Sequence, residues 1–257
     1  MSRDKTSAPS RDWDAANYDR VSDPQFQWAL EQLERQAFEG DEVVLDAGCG
    51  SGRVTAELMR RVPRGRVYGV DVAPSMVAHA RERLGEGATV LCQDLLQLTL
   101  PEPVDVAFSN ATFHWIDDHD ALFAVLFEAL KSGGRLVAQC GGLGNVEAFM
   151  RAASSVACEE PFARRFDGWR FPGRFVGADE TATRLQGAGF IDVSCWLERK
   201  SVTPADPRRF VQTVCLVRHL DALASEERDP FVERVLARIG EPVTLEYVRL
   251  NMVASRP

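Results

Sequence analysis

Three carboxylates follow three successive apolar runs of the sequence, each at the end of a predicted strand. Asp46 ends "VVLD", Asp71 ends "YGVD" and Asp94 ends "LCQD". A carboxylate at the first position attracts a cationic ligand and repels a pyrophosphate. The second follows the glycines by about 20 residues, where an acid can bind both hydroxyl groups of a ribose. Asp94 can accept a hydrogen bond from an adenine amino group while the backbone N–H of Leu95 reaches a ring nitrogen, or it can cap a helix.

The turn after the first acid is rich in glycine, and the spacing of these glycines separates two classes of nucleotide site. Gly48, Gly50 and Gly52 follow G-x-G-x-G, whereas a dinucleotide site has G-x-G-x-x-G and a triphosphate loop has G-K-[ST]. Glycine allows positive φ angles and a close approach of a ligand to the main chain. With Asp46 directly before the turn, the pattern favours a ligand with an ammonium and a sulfonium group. The alternative is a tight turn that binds nothing.

Strand and helix patterns alternate along the chain as far as Cys140. The runs "EVVLDAG", "GRVYGVDV", "ATVLCQD", "PVDVAFSN" and "RLVAQC" are typical of strands, whereas "APSMVAHARERLG" and "DHDALFAVLFEALKSGG" are typical of helices, the second ending at glycine. This alternation predicts an α/β fold with helices on both faces of the sheet. We expect a doubly wound, Rossmann-like sheet in a single domain, residues 1–257, because 257 residues are few for two full domains.

Two helical excursions interrupt the later strands, at about residues 145–177 and 204–240. We expect them to form a lid over the carboxyl ends of the strands, where open α/β sheets bind ligands. N-terminal cap helices are predicted at about residues 11–38, and the glycines of "GGLGN" predict a hinge at 141–145. Phe162, Phe166 and Trp169 have the spacing of one helical face, which predicts a core for the lid.

The order of these motifs is typical of a known enzyme family. The runs "LDAGCGSGR", "GVDVAPSMV", "CQDLL", "SNATFHWIDD" and "LKSGGRLV" resemble the successive motifs of the class I S-adenosylmethionine-dependent methyltransferases, over roughly Trp13 to Val253. Within that family, "WDAANYD" and "NATFHW" resemble the trans-aconitate methyltransferase group and related small-molecule carboxylate methyltransferases. The resemblance implies S-adenosyl-L-methionine as cofactor and a mostly parallel sheet with an antiparallel last strand. It also implies methylation of a small molecule, at the oxygen of a carboxylate or hydroxyl.

The resemblance adds residues to the cofactor site. It implies that Trp13 and Tyr18 lie on an N-terminal helix that closes over the cofactor, and that the Asn110 region contacts the methionine moiety. Met76 lies one turn into a helix, where it can cover an adenine face or pack in the core. The predicted cofactor-binding residues are Trp13, Tyr18, Asp46, Gly48, Gly50, Asp71, Val72, Met76, Asp94, Leu95 and Asn110.

The candidates for contact with the methyl acceptor follow the fourth strand or lie in the lid. His114 is the candidate catalytic residue, because a histidine can take a proton from a hydroxyl or amine; a carboxylate acceptor would need no base, and His114 would then only shape the pocket. Trp115 is a candidate pocket wall. Arg174 and Arg218 can bind a substrate carboxylate through their guanidinium groups, or can simply be solvated.

A metal site is a weaker hypothesis. "HWIDDHD" brings together His114, Asp117, Asp118 and His119, but acids at the start of a helix also satisfy its free N–H groups. We therefore expect no metal. The six cysteines are scattered and form no C-x-x-C pair, so neither a zinc site nor a redox dithiol is indicated. Free cysteines favour a reducing cytoplasm.

Composition narrows the classes of partner. The net charge of −8 argues against a general affinity for nucleic acid, and no apolar run approaches the roughly 20 residues that cross a bilayer. We expect a cytoplasmic monomer or homodimer. The open alternatives are a C- or N-methyltransferase of a secondary-metabolite pathway, an RNA or protein methyltransferase, a non-catalytic S-adenosylmethionine-binding protein and a nicotinamide dehydrogenase.

Overall fold

One seven-stranded sheet organises the computed structural model, which describes Asp19 and residues 22–257. The strands are β1 (Val43–Ala47), β2 (Arg66–Asp71), β3 (Thr89–Cys92), β4 (Val104–Asn110), β5 (Leu130–Gly141), β6 (Ile191–Val202) and β7 (Leu245–Ser255). Their order across the sheet is β3-β2-β1-β4-β5-β7-β6.

Helices cover both faces of this sheet. In the described part of the chain the α-helices are α1 (Asp23–Glu34), α2 (Arg53–Arg61), α3 (Pro74–Leu84), α4 (His119–Ala129), α5 (Glu147–Ala157), α6 (Ala178–Gly187), α7 (Pro207–Phe210), α8 (Val217–Asp221) and α9 (Ser225–Ile239). Val43 and Leu45 of β1 pack in the same apolar cluster as residues of α4 and α6, whereas Val44 packs in the same cluster as residues of α1 and α2. All five residues of β1 are buried, as in a strand covered on both faces.

The direction of the last strand confirms the predicted sheet. β1 to β5 run parallel, whereas β7 lies between β5 and β6 and is antiparallel to both. This insertion brings β7 next to the end of β5, with Arg249 paired opposite Gly141. The last strand of the sequence is therefore an inner strand, with β6 at the edge of the sheet beyond it.

The helix predicted before β5 is shorter than its sequence pattern. α4 ends at Ala129, and Leu130 already has extended backbone angles and pairs with Val104 of β4. The stretch "LKSGG", which was predicted as the end of the helix, is the first part of β5. Strand pairing therefore overrides the helical tendency of Leu130 and Lys131, because local propensity is a weak prior against tertiary contacts.

The two helical excursions pack on each other through a separate apolar cluster. Phe149 and Phe162 of the first excursion share this cluster with Phe210 and Phe231 of the second. Trp28 of α1 belongs to it as well. The predicted cap helices correspond to α1 where the chain is described, and their earlier residues lie outside that part. Closure of these elements over a ligand stays a prediction.

The aromatic stretch of the first excursion is not the continuous helix that its spacing suggests. Within the described residues, a single 3₁₀ turn, Ala163–Arg165, lies between α5 and α6. Pro161 lacks the amide hydrogen that a helix requires. Phe162, Phe166 and Trp169 therefore do not share one helical face. Their rings still pack in a common core, since Phe166 lies 5.2 Å from Trp169 and Phe162 is fully buried.

The glycines of "GGLGN" have a packing role. A Cβ on Gly141 would lie 2.7 Å from the ring of Phe175, and one on Gly142 would lie 2.6 Å from Leu197. The segment is also bonded to β7, because Gly142 donates to the carbonyl of Val248 over 2.8 Å. These contacts account for Gly141 and Gly142 by packing, and the hinge at 141–145 stays a prediction.

Among the helices of the described residues, none is both long enough and apolar enough to cross a bilayer.

Candidate active site

A cavity of about 350 Å³ opens at the carboxyl ends of β1, β2, β3 and β4. It is walled by the glycine turn, by the three predicted carboxylates and by the start of α1. Among the described residues its lining includes Ser22, Gln25, Phe26, Asp46, Gly48, Gly50, Asp71, Val72, Met76, Gln93, Asp94, Leu95, Asn110, Thr112 and Trp115. All the sequence-predicted cofactor residues in the described part of the chain therefore line this one cavity.

The two predicted glycines of the turn serve different needs. Gly48 has φ +85° and lies so close to Thr112 that a Cβ would come within 2.0 Å of Oγ1. Gly50 has φ +53°, and no atom lies within 4 Å of the place where its Cβ would be. Gly48 is thus required by protein packing, whereas Gly50 leaves open space beside the main chain where a ligand can approach.

Asp46 is a buried carboxylate at the floor of this cavity. Its exposed fraction is 2%, and Oδ2 accepts a hydrogen bond from Oγ1 of Thr55 over 2.7 Å. Burial raises the pKa of Asp46 to about 7, although the Thr55 hydrogen bond opposes that rise and nearby Asp71 adds to it. A cation in the cavity would offset the cost of ionising this buried group.

Asp71 accepts a hydrogen bond from the glycine turn and lines the cavity. Oδ2 accepts from the backbone N–H of Gly50 over 2.9 Å, and Oδ1 accepts from the N–H of Ala73 over 2.9 Å. Burial raises the pKa of Asp71, and these backbone hydrogen bonds limit the rise. Each carboxylate oxygen keeps a second lone pair, so the group can also accept from ribose hydroxyls, as predicted.

The predicted adenine region lies at the ends of β2 and β3. Asp94 is exposed, and its Oδ1 accepts from the backbone N–H of Leu96 over 2.9 Å, as the cap of a short 3₁₀ turn. Leu95 is buried, Met76 is buried, and Val72 is 46% exposed at the rim. The cap contact uses one oxygen of Asp94 and leaves the other for a ligand amino group.

Asn110 and Gln25 meet in the lining of this cavity. Nδ2 of Asn110 donates to the backbone carbonyl of Gln25 over 3.0 Å. Within the described chain, Oδ1 of Asn110 and Oε1 of Gln25 are buried and have no hydrogen-bond donor. A buried acceptor left unsatisfied costs about 1–3 kcal/mol. An ammonium group beside Asn110 would satisfy its oxygen, which fits the predicted contact with a methionine moiety.

The predicted Trp13 and Tyr18 lie outside the described residues. The adjacent Asp19 is described and lines the cavity. Its carboxylate accepts hydrogen bonds from Oγ of Ser51 and from the guanidinium of Arg83, and its carbonyl accepts from Arg53 over 2.9 Å. The chain is therefore held against the glycine turn and α3 at this one residue.

A second cavity of about 60 Å³ adjoins the first, and we call it the acceptor cavity. The two cavities share Gln25, Ala111 and Trp115. Elements from distant parts of the chain supply the rest of its described lining, which is His114, Asn145, Val146, Met150, Phe171, Phe175, Val214, Cys215, Tyr247 and Arg249. The predicted lid excursions and the late strand β7 thus close the space beside the cofactor cavity.

His114 lies in the acceptor cavity as a buried, neutral imidazole. Burial lowers its pKa to about 3, and the charge of Arg249 adds to that effect. The backbone N–H of Gly141 donates to Nδ1 over 3.3 Å. These observations argue against a general base at Nδ1 and favour the alternative that His114 shapes the pocket.

Arg249 is the cation of the acceptor cavity, and the sequence analysis missed it. Its exposed fraction is 2%, its Nε donates to Oε1 of Gln139 over 3.1 Å, and its guanidinium lies 4.9 Å from the ring of Trp28. The available signal was a single arginine inside the mostly apolar run "YVRLNMV". A buried arginine is uncommon enough to indicate a partner or a ligand.

The predicted lid arginines lie elsewhere. Arg174 donates to the carbonyl of Asp117 over 2.6 Å, approaches Glu180 to 3.5 Å and is not among the described residues lining either cavity. Arg218 lies over the ring of Trp115 at 5.4 Å and 3.9 Å from Asp221, and it is not among the described residues that line these two cavities. Trp115 lines both cavities, which suits the predicted wall.

The residues of the metal hypothesis have structural partners. Asp118 accepts from the N–H of Ala121 over 2.9 Å as the N-cap of α4, and Nε2 of His119 lies 3.0 Å from the carbonyl of Phe113. Among the described residues no group of three or more His, Cys, Asp or Glu side chains is arranged to hold a metal ion.

Solved structures show the same fold. Phosphoethanolamine N-methyltransferase 2 of Haemonchus contortus, in complex with S-adenosyl-L-methionine, matches with a TM-score of 0.61 at 20% identity, covering 95% of this chain and 56% of that one. A Haloferax volcanii methyltransferase in complex with the Trm112 activator matches with a TM-score of 0.60 at 20% identity, covering 95% of each chain.

Sequence comparisons show the family. A family model described as a methyltransferase domain matches residues 44–134. The chain is 31% identical to a trans-aconitate 2-methyltransferase of Methylobacterium nodulans, covering 95% of this chain and 98% of the relative. It is 27% identical to one of Acidovorax ebreus, with the same two shares. These relatives confirm the predicted family, reaction class and cofactor, S-adenosyl-L-methionine. The chain belongs to the trans-aconitate 2-methyltransferase family of class I S-adenosylmethionine-dependent methyltransferases.

Proposed function

We propose that the chain transfers a methyl group to a carboxylate oxygen of a small organic acid. The observation that carries this proposal is the acceptor cavity, where the buried guanidinium of Arg249 and the neutral imidazole of His114 lie beside the cofactor cavity. Guanidinium groups bind carboxylates through charge-assisted hydrogen bonds.

The two cavities differ in charge. The cofactor cavity is lined by Asp46, Asp71 and Asp94, whereas the described lining of the acceptor cavity includes Arg249 and no aspartate or glutamate. The first therefore favours a cationic ligand and the second an anionic one. This separation of charge supports an arrangement in which an anionic nucleophile lies beside a cationic methyl donor.

The chain's task is positioning. S-adenosyl-L-methionine, when bound, supplies a methyl group on a positively charged sulfur. Asp71 would hold its ribose and Asn110 its methionine end, while Arg249 and the Nε2–H of His114 hold the acid. A carboxylate is already ionised at neutral pH, so no residue has to remove a proton. Alignment of the reacting groups and exclusion of water can supply several kcal/mol.

A panel of acceptors tests this proposal. The names of the relatives make trans-aconitate the first acid to try, beside fumarate, succinate, a phenol and an amine. We expect methylation of one or more acids, with a product that mild alkali cleaves, because a methyl ester is hydrolysed whereas C-methyl and N-methyl groups are not. An alkali-stable product would instead indicate an O-methyl ether of a hydroxyl or support the C- or N-methyltransferase alternative.

Replacement of Arg249 tests whether the acceptor cavity binds the acid. Arg249→Met is expected to raise the KM of the acid on the order of 100-fold, with the KM of the cofactor unchanged. Arg199→Met removes an exposed arginine from the neighbouring strand β6 and is the matched control. Turnover of a phenol or amine that does not depend on Arg249 would overturn the proposal.

We also propose a cytoplasmic location and a monomeric or homodimeric state. All six cysteines are free, which suits a reducing compartment. Cell fractionation and light scattering test these two points.

A further inference from the structure

We propose that a buried network of three carboxamides, Gln32, Asn251 and Gln139, positions the guanidinium of Arg249 for the acid. This inference rests on the proposed function, because it assumes that Arg249 binds the acceptor. The three residues are positioning residues, since they act through Arg249.

This network links three elements by hydrogen bonds. Nε2 of Gln32 in α1 and Nε2 of Gln139 in β5 both donate to Oδ1 of Asn251 in β7, each over 2.8 Å. Oε1 of Gln139 then accepts from Nε of Arg249 over 3.1 Å, and Nδ2 of Asn251 donates to the carbonyl of Arg249 over 3.3 Å. Arg249 is thus held by both its side chain and its backbone.

Burial makes this arrangement rigid. Gln32 and Gln139 are each 2% exposed and Asn251 is fully buried. The register of the sheet pairs Gln139 directly with Asn251 and Gly141 with Arg249. Bonds in such a network are costly to break, because an unsatisfied polar group has no access to water.

The choice of carboxamides has an electrostatic consequence. A carboxamide oxygen orients Nε of Arg249 without adding a negative charge. A carboxylate in the same position would form an ion pair with the guanidinium and compete with the acid. A neutral network therefore suits a cation whose role is to bind an anion from outside.

Calorimetry of acid binding tests the inference without turnover. The protein is saturated with S-adenosylhomocysteine and titrated with the same panel of acids. Gln139→Glu replaces the carboxamide by an anion of equal size, and it is expected to weaken acid binding at least roughly tenfold. Gln139→Leu, which only removes the hydrogen bonds, is expected to weaken it several-fold. Affinity for S-adenosylhomocysteine should not change in either variant.

Two further variants control for charge and for folding. Gln186→Glu makes the same chemical change at an exposed position and should bind acids as the wild type does. Gln32→Leu removes the hydrogen bond at the other end of the carboxamide network, while Gln139 still contacts Arg249. We expect a smaller loss of acid binding from this variant. Thermal unfolding shows whether Gln139→Glu folds. If that variant does not fold, Gln32→Leu still tests the inference.

The outcomes separate the two proposals. If Arg249→Met loses acid binding while Gln139→Glu and Gln32→Leu bind acids as the wild type does, the positioning role of the carboxamide network is overturned and the proposed function stands. If Arg249→Met binds acids normally, or the wild type binds none of them, the proposed function fails and takes this inference with it. A graded loss from Gln32→Leu to Gln139→Glu supports both.

Discussion

The backbone N–H of Gly141 donates a hydrogen bond to Nδ1 of His114 over 3.3 Å. Nδ1 therefore acts as an acceptor, and the neutral ring carries its proton on Nε2. Burial lowers the pKa of His114 to about 3, so the ring stays neutral wherever a carboxylate is ionised near neutral pH. His114 is thus suited to donate a hydrogen bond from Nε2 and poorly suited to take a proton.

Variants of His114 distinguish a donor from a base. His114→Leu is expected to raise the KM of the acid several-fold, since one neutral hydrogen bond contributes about 1 kcal/mol. His114→Gln keeps an N–H donor and should recover most of the loss. At saturating S-adenosyl-L-methionine we expect flat pH–rate profiles between pH 6 and 8 for all three proteins. A wild-type rate that rises through the ordinary histidine range, and a loss of that rise in His114→Leu, would contradict the donor role.

The ionisation of Asp46 predicts a pH dependence of cofactor binding. Its pKa is raised to about 7 by burial, so below that pH the carboxyl of the ligand-free protein is mostly protonated. A cationic ligand favours the ionised form. We expect the affinity for S-adenosylhomocysteine to fall by up to about tenfold for each pH unit below 7, with release of a proton on binding. Titration in buffers of different ionisation enthalpy measures that proton. Asp46→Asn should release none.

The raised pKa of Asp46 also predicts how the stability of the ligand-free protein changes with pH. The folded pKa of Asp46 is raised from 3.8 to about 7, so the folded state binds the proton more tightly than the unfolded state does. Its contribution to the free energy of unfolding therefore falls as the pH rises from about 4 to 7, and then stays level. Melting curves of the wild type and Asp46→Asn should converge at low pH. A constant difference between them across this range would contradict the raised pKa.

Replacement of Asp71 tests the ribose contact. Asp71→Asn removes the charge and turns an amide group towards donors that the carboxylate now accepts, from Gly50 and Ala73. Hydrogen bonds to a charged group contribute about 1.5–3 kcal/mol, so the Kd for S-adenosylhomocysteine should rise on the order of 10-fold to 100-fold. Asp105→Asn is the control, because Asp105 binds the N–H of Val43, at the other end of β1. Equal binding by both variants would remove Asp71 from the site.

The two glycines of the turn give a matched pair. Gly48→Ala would place a methyl group against Thr112 at a φ of +85°, so we expect a lower free energy of unfolding by about 2 kcal/mol or more. Gly50→Ala meets open space at a φ of +53° and should cost about 1 kcal/mol, but its methyl group occupies the place where a ligand approaches. Denaturant titration should rank Gly48→Ala as the less stable, whereas calorimetry should show lost cofactor binding in Gly50→Ala. The opposite ranking in denaturant would contradict the packing role of Gly48.

The cofactor half of the site could be predicted because its signals are local. Asp46 and the glycines of the turn are consecutive parts of one strand–turn–helix unit, and the spacing of residues within such a unit fixes which groups reach the ligand. Asp71 and Asp94 repeat the same local position after the next two strands. In a parallel sheet these carboxyl ends meet at one edge, so the alternation of elements was enough to bring the three acids together.

The acceptor half depends on contacts between distant parts of the chain. Local composition favoured Arg174, yet its side chain approaches Asp117 and Glu180, whereas the buried cation is Arg249 of the last strand. Arg249 lines the same cavity as His114 because β7 inserts between β5 and β6 and pairs Arg249 with Gly141. Strand order and register are set by pairing and burial over the whole sheet, which no short motif encodes. The sequence by itself therefore determined the cofactor and the reaction class, while the tertiary structure decided which cation lies in the proposed acceptor cavity.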